Sequence, residues 1–295
     1  MERIAPLVGA TVAGPLGVVH LPRMWLKSVL SAAGMLAEGY VDYYRGFNKM
    51  VVDAIGLDPD AWFAYLKTMP TYPEAEAYVK AHATKLTPDA IAAVNAEVLT
   101  FLRPEENAAA VRARAGLTDP EFRNRARLLD FDDWCTMHQA LVAQRARGIG
   151  PIVPMVSSAQ TGTFGVPHLP RLWMKALLAA AGALPEGWKT GPNCGFDKLL
   201  SDTIGLDLVA ACAYITNEFP GYVQFETWVR DRIAVPDDAT KAQWTAKILA
   251  LQKSEDQSAA DLAEAGAPGI GVRGVILLND MVDWKHMHDA AYAMA

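Results

Sequence analysis

The sequence is poor in cysteine, and its few cysteines form no pattern. Three are present, Cys135, Cys194 and Cys212, at uneven spacing in a chain of 295 residues. The disulfide framework of a small secreted protein needs a denser, even-numbered set. We therefore expect a protein of a reducing compartment and assign it to the cytoplasm. Neither Cys135 nor Cys194 has an activating partner that the sequence reveals, so we expect inert thiols.

The sequence also lacks a convincing membrane-spanning segment. Residues 4–21 carry no charged side chain when His20 is neutral, and they could be mistaken for a signal peptide. Their prolines and glycines make them a poor membrane helix. The same pattern returns at residues 152–168, where a cleaved leader has no place. We expect both stretches to be structural loops, and we expect no membrane partner.

Charge of one sign is not concentrated anywhere. The formal net charge is −6 and is spread along the chain, so neither nucleic acid nor anionic lipid is indicated as a partner. There is no phosphate-binding loop, no Gly-x-Ser-x-Gly and no paired Cys-x-x-Cys. A Gly-x-Gly-x-x-Gly match at residues 269–274 precedes an apolar run instead of opening a helix. We interpret it as a loop and expect no organic cofactor.

What the chain does contain is a near-repetition of itself. Two motifs occur twice: HLPRMWLK at 20–27 and HLPRLWMK at 168–175, then DWCTMH at 133–138 and DWKHMH at 283–288. A duplicated chain can fold as a pseudo-dimer in which like residues face each other across a pseudo-two-fold axis. We predict two homologous halves, residues 1–148 and 149–295, packed in this way.

Prolines and glycines at matching places predict helices in both halves. Pro22 and Pro170 stand where a proline opens a helix, because the first turn has free N–H groups. A second helix should span residues 47–56, with a counterpart at 196–205, each ended by a glycine. Residues 274–278 could form a short strand, but their counterpart in the first half looks helical. We predict an all-α fold.

Three short motifs stand out in the early part of the halves. Residues 17–27 combine a glycine, His-Leu-Pro-Arg and a lysine four residues on; residues 193–197 read NCGFD, and residues 204–207 read IGLD. Together they resemble a family of short bacterial proteins known only as a domain of unknown function. In that family Cys-Pro-Leu-Asp and Gly-hydrophobic-Asp segments follow the His-Leu-Pro-Arg opening.

The two halves depart from this family pattern to different degrees. The second half keeps Cys194 and Asp197 but has Gly195 where proline is usual. The first half departs further, since residues 45–48 read RGFN. The resemblance supports a tandem duplication and implies no reaction.

The C-terminal motif places an acid, an indole and an imidazole on one helix face. The spacing i, i+4, i+8 occurs twice: Asp130, Trp134 and His138, then Asp280, Trp284 and His288. A histidine beside a carboxylate and behind an indole suits a general base. The alternative is a histidine packed on tryptophan between helices, with the aspartates as caps or ion pairs. Asp133 and Asp283 lie about 140° around the helix from the histidines and should have a different role, as further candidate catalytic acids.

Each His-Leu-Pro-Arg motif stands at a helix start, where free N–H groups and the helix dipole favour an anion. The arginine and the lysine four residues later share a face and could hold a substrate carboxylate. The alternative is that each arginine pairs with an internal acid, Asp53 or Asp202, and locks two helices together. The candidate substrate-binding residues are His20, His168, Arg23, Arg171, Trp25, Trp173, Trp134 and Trp284.

A divalent metal is a third alternative. A site for iron, zinc or manganese would form if the pseudo-axis gathered the repeated histidines with Asp133 or Asp283. The histidines concerned are His20, His138, His168 and His288. Their wide separation in each half gives no local ligand signature.

The sequence favours a small-molecule enzyme of hydrolase, lyase or isomerase type that uses His/Asp acid–base chemistry. We expect its pocket near the seam between the halves, walled by aromatic rings and suited to an apolar or aromatic substrate, with or without an anionic group. Differences such as residues 285–286 (KH) against 135–136 (CT) are those expected of one specialised site. The alternatives are a non-catalytic ligand-binding or scaffold protein and a His/Asp metalloenzyme. The oligomeric state stays open, with a homo-oligomer as one outcome.

Overall fold

The computed structural model describes residues 3–144 and 150–295, which we call the first and second segments. They form fourteen α-helices and one short 3-10 helix, and strand-like pairing among them is limited to isolated bridges. The all-α prediction is confirmed. Residues 274–278, for which the sequence left a strand open, belong to the start of the last helix, which begins at Val275.

The first segment contains seven helices. They are α1 (Leu21–Ala32), α2 (Phe47–Ile55), α3 (Pro59–Leu66), α4 (Tyr72–His82), α5 (Pro88–Thr100), α6 (Glu105–Ala115) and α7 (Arg125–Gln144). The prediction for α2 is confirmed, because the helix ends at Gly56, whose φ of 70° is the left-handed conformation that glycine adopts easily.

The second segment contains the remaining helices. They are α8 (Leu169–Ala180), the 3-10 helix (Gly191–Asn193), α9 (Gly195–Ile204), α10 (Leu208–Glu218), α11 (Tyr222–Arg230), α12 (Asp238–Leu249), α13 (Glu255–Glu264) and α14 (Val275–Tyr292). Within the described residues no single helix has both the length and the hydropathy of a membrane span; α9 and α10, bent by 109°, meet those two criteria only as a pair.

The histidine before α1 and the histidine before α8 share an unusual backbone conformation. His20 has a φ of 68° and His168 a φ of 72°, in the left-handed region that residues other than glycine rarely adopt. A proline follows in the first turn of each helix. Such conformations persist where the surroundings enforce them. Here they direct both imidazoles into the interior, where His20 and His168 are 2% and 1% exposed.

The loop that leads into α8 is attached to α11 by hydrogen bonds. The Glu226 carboxylate accepts backbone hydrogen bonds from Thr163 at 3.1 Å and Phe164 at 3.0 Å. A Cβ on Gly162 would overlap the side chains of Glu226 and Tyr222, so the loop can approach α11 this closely only at a glycine. The predicted loops are thus confirmed as loops, and this one is fixed to α11.

The last helix of each segment contacts the other segment. α7 packs on α11, and α14 packs on α1 and α4. His138 donates from Nε2 to the Phe219 carbonyl at 2.9 Å, and His288 donates from Nε2 to the Met69 carbonyl at 2.9 Å. Both accepting residues have positive φ, at 51° and 56°. Each of these two histidines therefore links its own helix, α7 or α14, to a residue of the opposite segment that has a strained backbone conformation.

Candidate active site

Two cavities occupy corresponding places in the two segments. The first cavity, of about 300 Å³, lies among α1, residues 38–48 and α7. The second cavity, of about 420 Å³, lies among α8, residues 186–196 and α14. Each is lined by the histidine, arginine and lysine of its His-Leu-Pro-Arg motif. The fold therefore brings these three residues together at each cavity, beside other residues that the sequence did not indicate.

The second cavity contains a continuous hydrogen-bond chain of serine, histidine and aspartate. His168 Nε2 lies 2.7 Å from Asp197 Oδ1, and His168 Nδ1 lies 2.9 Å from Ser158 Oγ. An ionised carboxylate can only accept, so Nε2 carries the proton and Nδ1 presents its lone pair to the serine hydroxyl. Ser158 and His168 both line the cavity, although each is almost fully buried.

Each member of this chain is fixed by a different part of the fold. Ser158 lies on the loop before α8, where the neighbouring Ser157 hydroxyl donates to Asp280 Oδ2 at 2.7 Å. Asp197 lies in the first turn of α9, and its second oxygen accepts from the Gly191 N–H at 2.7 Å. The histidine ring is placed between them by its backbone conformation. The three side chains are therefore held before any ligand arrives.

Burial and neighbouring charge set the protonation of the pair. Burial, with some help from Lys175 and Arg171, lowers the pKa of His168 to about 4 against the opposing pull of Asp197. Burial resists ionisation of Asp197, but hydrogen bonds from His168 and attraction to Lys175 lower the pKa of its carboxyl to about 2. Near neutral pH the arrangement is a neutral imidazole oriented by a carboxylate, which is the form that can accept a proton from Ser158.

A lysine and a cysteine complete the polar cluster. Lys175 Nζ lies 2.7 Å from Asp197 Oδ1 and 3.2 Å from Cys194 Sγ, and it also donates to the Lys189 carbonyl at 3.1 Å. Cys194 is the N-cap of α9 and lines the cavity. The sequence offered no activating partner for this thiol, because Lys175 is nineteen residues away along the chain. The fold supplies the ammonium.

The arginines pair with different acids from those that the sequence suggested. Arg171 Nη1 lies 2.7 Å from Asp283, and Arg23 forms a two-point salt bridge with Asp133. The suggested partners Asp53 and Asp202 are wrong, because both point outward from their helices. Asp53, for example, bonds Lys49 one turn away at 2.6 Å.

The first cavity has the same histidine without the same partners. His20 Nε2 lies 2.9 Å from Asn48 Oδ1, so an amide replaces the carboxylate. The residue ten positions before His20 is Ala10, which stands where Ser158 stands relative to His168. His20 Nδ1 is accordingly buried with no hydrogen-bond partner among the described residues. The serine–histidine–aspartate chain is therefore a feature of the second segment.

The aspartate, tryptophan and histidine that share one face of α7, and those that share one face of α14, do not form the expected histidine–carboxylate pairs. Asp280 bonds Ser157, and the Asp130 oxygens have no hydrogen-bond partner within residues 3–144 and 150–295. Burial raises the pKa of Asp130 and of Asp280 to about 7. His288 Nδ1 lies 3.3 Å from Asp289, which is not the aspartate that the sequence analysis paired with it. The geometry thus gives these aspartates a different environment from that of a catalytic acid beside His138 or His288.

The predicted aromatic walls lie mainly in the core. Trp25 and Trp173 are fully buried, and their indole nitrogens donate to the carbonyls of Pro70 and Pro220 at 2.7 and 3.0 Å. Trp284 is 1% exposed, and its ring packs on Tyr72 with centroids 4.6 Å apart.

A third cavity lies between the two segments, at the seam where the sequence analysis placed a pocket that stays a prediction. Its volume is about 580 Å³, and its lining includes Trp134 and His138 from α7 with Tyr222 from α11. The His138 ring packs 5.9 Å from that of Phe219, whose carbonyl accepts a hydrogen bond from His138 Nε2. The seam therefore has a cavity and a histidine, but the histidine is part of a contact between segments.

The repeated histidines do not converge. His20 and His168 lie in separate cavities, and His138 and His288 bond different backbone corners. In the part of the chain that the structure describes, no three His, Cys, Asp or Glu side chains are grouped so that they could hold a metal ion.

Comparison of the chain with protein-family models, with curated proteins and with solved structures found no match. The resemblance to a domain family of unknown function therefore stays a prediction. The functional argument depends on the geometry of the second cavity.

Proposed function

We propose that the protein is a hydrolase or acyl-transfer enzyme for a small molecule, with its active site in the second cavity. The observation that carries this proposal is the hydrogen-bond chain from Ser158 through His168 to Asp197 at the cavity wall. Serine, histidine and an acid serve this chemistry on unrelated folds and are recognised by geometry. Here the serine bonds Nδ1 and the acid bonds Nε2, the reverse of the nitrogen usage in serine proteases.

The proposed reaction begins with attack of Ser158 Oγ on the carbonyl carbon of an ester or amide. The hydroxyl proton passes to His168 Nδ1, and the carbonyl electron pair moves onto oxygen. Collapse of this oxyanion expels the leaving group, which takes the proton from His168. Water then attacks the acyl-serine with the same proton route, releasing the acid and restoring the hydroxyl. Asp197 holds the Nε2 proton throughout and stabilises the imidazolium.

Arg171 is the candidate stabiliser of the oxyanion. Its described hydrogen bonds all use Nη1, which donates to the carbonyls of Pro154 at 2.7 Å and Val156 at 2.8 Å. The guanidinium also lines the second cavity. A cation fixed by backbone carbonyls and by Asp283 does not need to reorganise when negative charge develops, which is the requirement for electrostatic stabilisation.

The cavity suits a small, partly apolar substrate. Its volume of about 420 Å³ lies in the range of small-ligand pockets. Trp188 and Phe196 provide apolar wall, and the Trp188 indole is oriented by a 2.9 Å hydrogen bond to Asp283. Lys189 is exposed at the rim and can meet an anionic group. We propose an ester or amide of a small carboxylic acid as the substrate class.

A second candidate chemistry uses the thiol in the same cavity. Lys175 Nζ lies 3.2 Å from Cys194 Sγ, and the sulfur lies at the start of α9 in the lining of the cavity. Cys194 would then replace Ser158 as the nucleophile, with His168 still moving the proton.

We also propose that the segments are homologous and pack as an intramolecular pseudo-dimer, as their sequence repetition predicts. Reciprocal contacts support this arrangement: His138 bonds the Phe219 carbonyl, and His288 bonds the Met69 carbonyl, each across the seam. The proposal makes the two histidines equivalent structural ties and leaves the catalytic role to His168.

The proposal is tested by active-site labelling. A fluorophosphonate probe phosphonylates a serine that a base activates, and mass spectrometry identifies the modified residue. We expect modification at Ser158, its loss in Ser158→Ala, and a rate reduced at least about tenfold in Asp197→Asn. Ser28→Ala is the matched control, because Ser28 is a buried serine of α1 outside the second cavity.

Two outcomes would contradict the serine assignment. An unmodified Ser158 in the folded wild-type protein shows that the hydroxyl is not activated. A protein whose ester turnover survives Ser158→Ala but is lost in Cys194→Ala uses the thiol instead.

A further inference from the structure

The first cavity is lined by an excess of cations. Arg45, Arg103, Arg114 and Arg125 face it together with Lys27. These side chains come from five different parts of the chain, namely α1, the loop before α2, the loop before α6, and the helices α6 and α7. Their convergence is a product of the fold and has no signature in the sequence.

Most of these cations have no acidic partner. Of the two acids at the cavity, Asp132 pairs with Arg114, and Glu38 pairs with Arg3 at 2.9 Å. Lys27 Nζ donates to the neutral oxygens of Val41 and Asn48, each at 2.9 Å. Across residues 3–144 and 150–295, no carboxylate forms a salt bridge with Lys27 or with the other three arginines, which are Arg45, Arg103 and Arg125.

Burial and the crowding of these cations both lower the pKa values of three of them. Burial, followed by the neighbouring Arg103, lowers the pKa of Arg125, and burial followed by Arg114 lowers that of Arg103. Burial and the nearby Arg23 lower the pKa of Lys27 to about 7. A group of cations in this state is stabilised by an anion that neutralises several of them at once.

Packing holds the central cation in a fixed orientation. The Arg125 guanidinium lies 4.5 Å from the centroid of the Phe47 ring and 5.5 Å from that of Phe101. A Cβ on Gly46, whose φ is 54°, would overlap Arg125 Nη2. The Arg125 Nε is buried and has no hydrogen-bond partner among the described residues. The guanidinium is thus clamped between rings and backbone, with donors left unsatisfied.

The second cavity has no such excess. Cys194 stands where the first cavity has Arg45, and Lys253, which stands where it has Arg103, is neutralised by Asp261. Lys175 is neutralised by Asp197 at 2.7 Å. The unpaired cations are therefore a property of the first cavity and not of this type of cavity in general.

We propose that the first cavity is a binding site for a small phosphate-bearing anion, held by Arg45, Arg103 and Arg125 with Lys27. Its volume of about 300 Å³ accommodates one or two phosphate groups and little else. Planar guanidinium groups match the tetrahedral phosphate oxygens by two-point hydrogen bonds. The site binds without catalysing, since Ala10 and Asn48 leave His20 without a hydroxyl or a carboxylate. This proposal is independent of the activity proposed for the second cavity.

Calorimetric titration with inorganic pyrophosphate tests the site. We expect one pyrophosphate per chain at an ionic strength where chloride has no effect, and about tenfold weaker binding in Arg103→Gln and in Arg125→Gln. Arg45→Gln should weaken binding as well, and because Arg45 is exposed this variant should keep the fold. Lys247→Gln is the control and should bind like the wild type, because Lys247 is an exposed lysine of α12 that lines neither cavity.

The proposal is overturned by any of three results. Chloride could match pyrophosphate at equal ionic strength, which would mean general screening. The three arginine variants could bind as tightly as the Lys247 control while circular dichroism shows them folded, which would place the anion elsewhere. Citrate could bind more tightly than pyrophosphate, which would assign the cavity to carboxylates.

Discussion

Each of the two cavities contains a histidine with the same backbone conformation and the same burial, but the hydrogen-bond partners of the two histidines differ. In the second cavity Ser158 and Asp197 bond the two nitrogens of the ring, whereas Ala10 and Asn48 stand at the equivalent places in the first. The backbone, the burial and the following proline are alike. The comparison teaches that the repetition of a histidine indicates a shared backbone structure. Whether that histidine can act as a base depends on the two groups that bond its ring nitrogens.

The same comparison shows a structural cost in the first cavity. Burial and the nearby cations Lys27 and Arg23 lower the pKa of His20 well below its usual value, so the ring is neutral. Its Nδ1 is buried and has no hydrogen-bond partner among the described residues. A buried acceptor without a hydrogen bond costs roughly 1–3 kcal/mol. The first cavity therefore gives up stability at the position where the second has a serine.

The charges differ as much as the hydrogen bonds. Among the described residues, Arg45, Arg103 and Arg125 of the first cavity have no acidic partner, whereas Lys175 and Lys253 of the second cavity pair with Asp197 and Asp261. One cavity is thus arranged for an anion, and the other for proton transfer beside balanced charges. The two proposals can fail separately, because no residue carries both.

The largest expected effect comes from converting the second cavity into a copy of the first. Ser158→Ala and Asp197→Asn introduce the residues found at the equivalent positions, Ala10 and Asn48. We expect each to reduce ester turnover by about 10³-fold or more, because one removes the nucleophile and the other the group that orients His168. Steady-state kinetics on a chromogenic ester measures the loss.

The double variant sharpens this prediction. Residues that act as one unit give losses that do not add, so Ser158→Ala with Asp197→Asn should be little slower than either alone. Fully multiplicative losses would show that the two side chains act separately and would break the proposed chain.

The next effect concerns the buried arginine–aspartate salt bridge that is present beside each cavity. Arg23→Met and Arg171→Met each leave a buried aspartate, Asp133 or Asp283, without its cation. We expect both variants to lose about 3–5 kcal/mol of the free energy of unfolding, measured by urea denaturation. Combining Arg171→Met with Asp283→Leu should recover part of that loss. A loss confined to one segment would contradict the equivalence of the two pairs.

The fold was largely accessible from the sequence because its signals are local. Pro22 in a first turn and Gly56 after a last turn each constrain backbone within a few residues, and the helices begin and end where they indicate. The acid for Arg23 was not accessible in this way. Asp133 lies 110 residues away in α7, and only the tertiary fold brings it next to Arg23 in α1.

The candidate site was missed for a different reason. Searching for residues that both halves retain selects His168 and Lys175 but cannot select Ser158, whose counterpart is alanine. The site depends on a difference between the halves, and its three members come from a loop, a helix N-terminus and a second helix. The one available signal was Asp197, which the resemblance to the domain family had marked together with Cys194.

A smaller effect comes from the buried aspartates behind the arginines. The pKa values of Asp130 and Asp280, raised to about 7, mean that the native state holds a proton that the unfolded chain releases at lower pH. Stability should therefore fall as the pH rises from about 4 to 7, with the full penalty present above 7. Asp130→Asn and Asp280→Asn should remove that slope and stabilise the protein at pH above 7 by up to about 4 kcal/mol. Urea denaturation across this pH range measures it.

Asp130 should respond more strongly than Asp280. The Asp280 carboxylate accepts the Ser157 hydroxyl, while Asp130 has no such partner in the described chain. Variants that lose stability above pH 7 would mean that the ionised carboxylates stabilise the native state, and would contradict raised pKa values for Asp130 and Asp280.

The smallest effect comes from repairing the first cavity. Ala10→Ser places a hydroxyl at the position that corresponds to Ser158, and if the two loops are equivalent it should bond His20 Nδ1, which has no partner among the described residues. We expect about 1 kcal/mol of added stability by thermal or urea unfolding. The matched change in the other direction, Ser158→Ala, should lose a similar amount. If Ala10→Ser destabilises the protein, the two loops are not equivalent.

The most direct test of the account is nitrogen NMR of the His168 imidazole across a pH titration. The account predicts a neutral ring near pH 7 with the proton on Nε2 and a lone pair on Nδ1, and protonation only near pH 4. In Ser158→Ala the Nδ1 signal should move toward that of His20, whose Nδ1 has no partner. A His168 that carries its proton on Nδ1, or that is already charged near pH 7, would have no lone pair for Ser158 and would contradict the account.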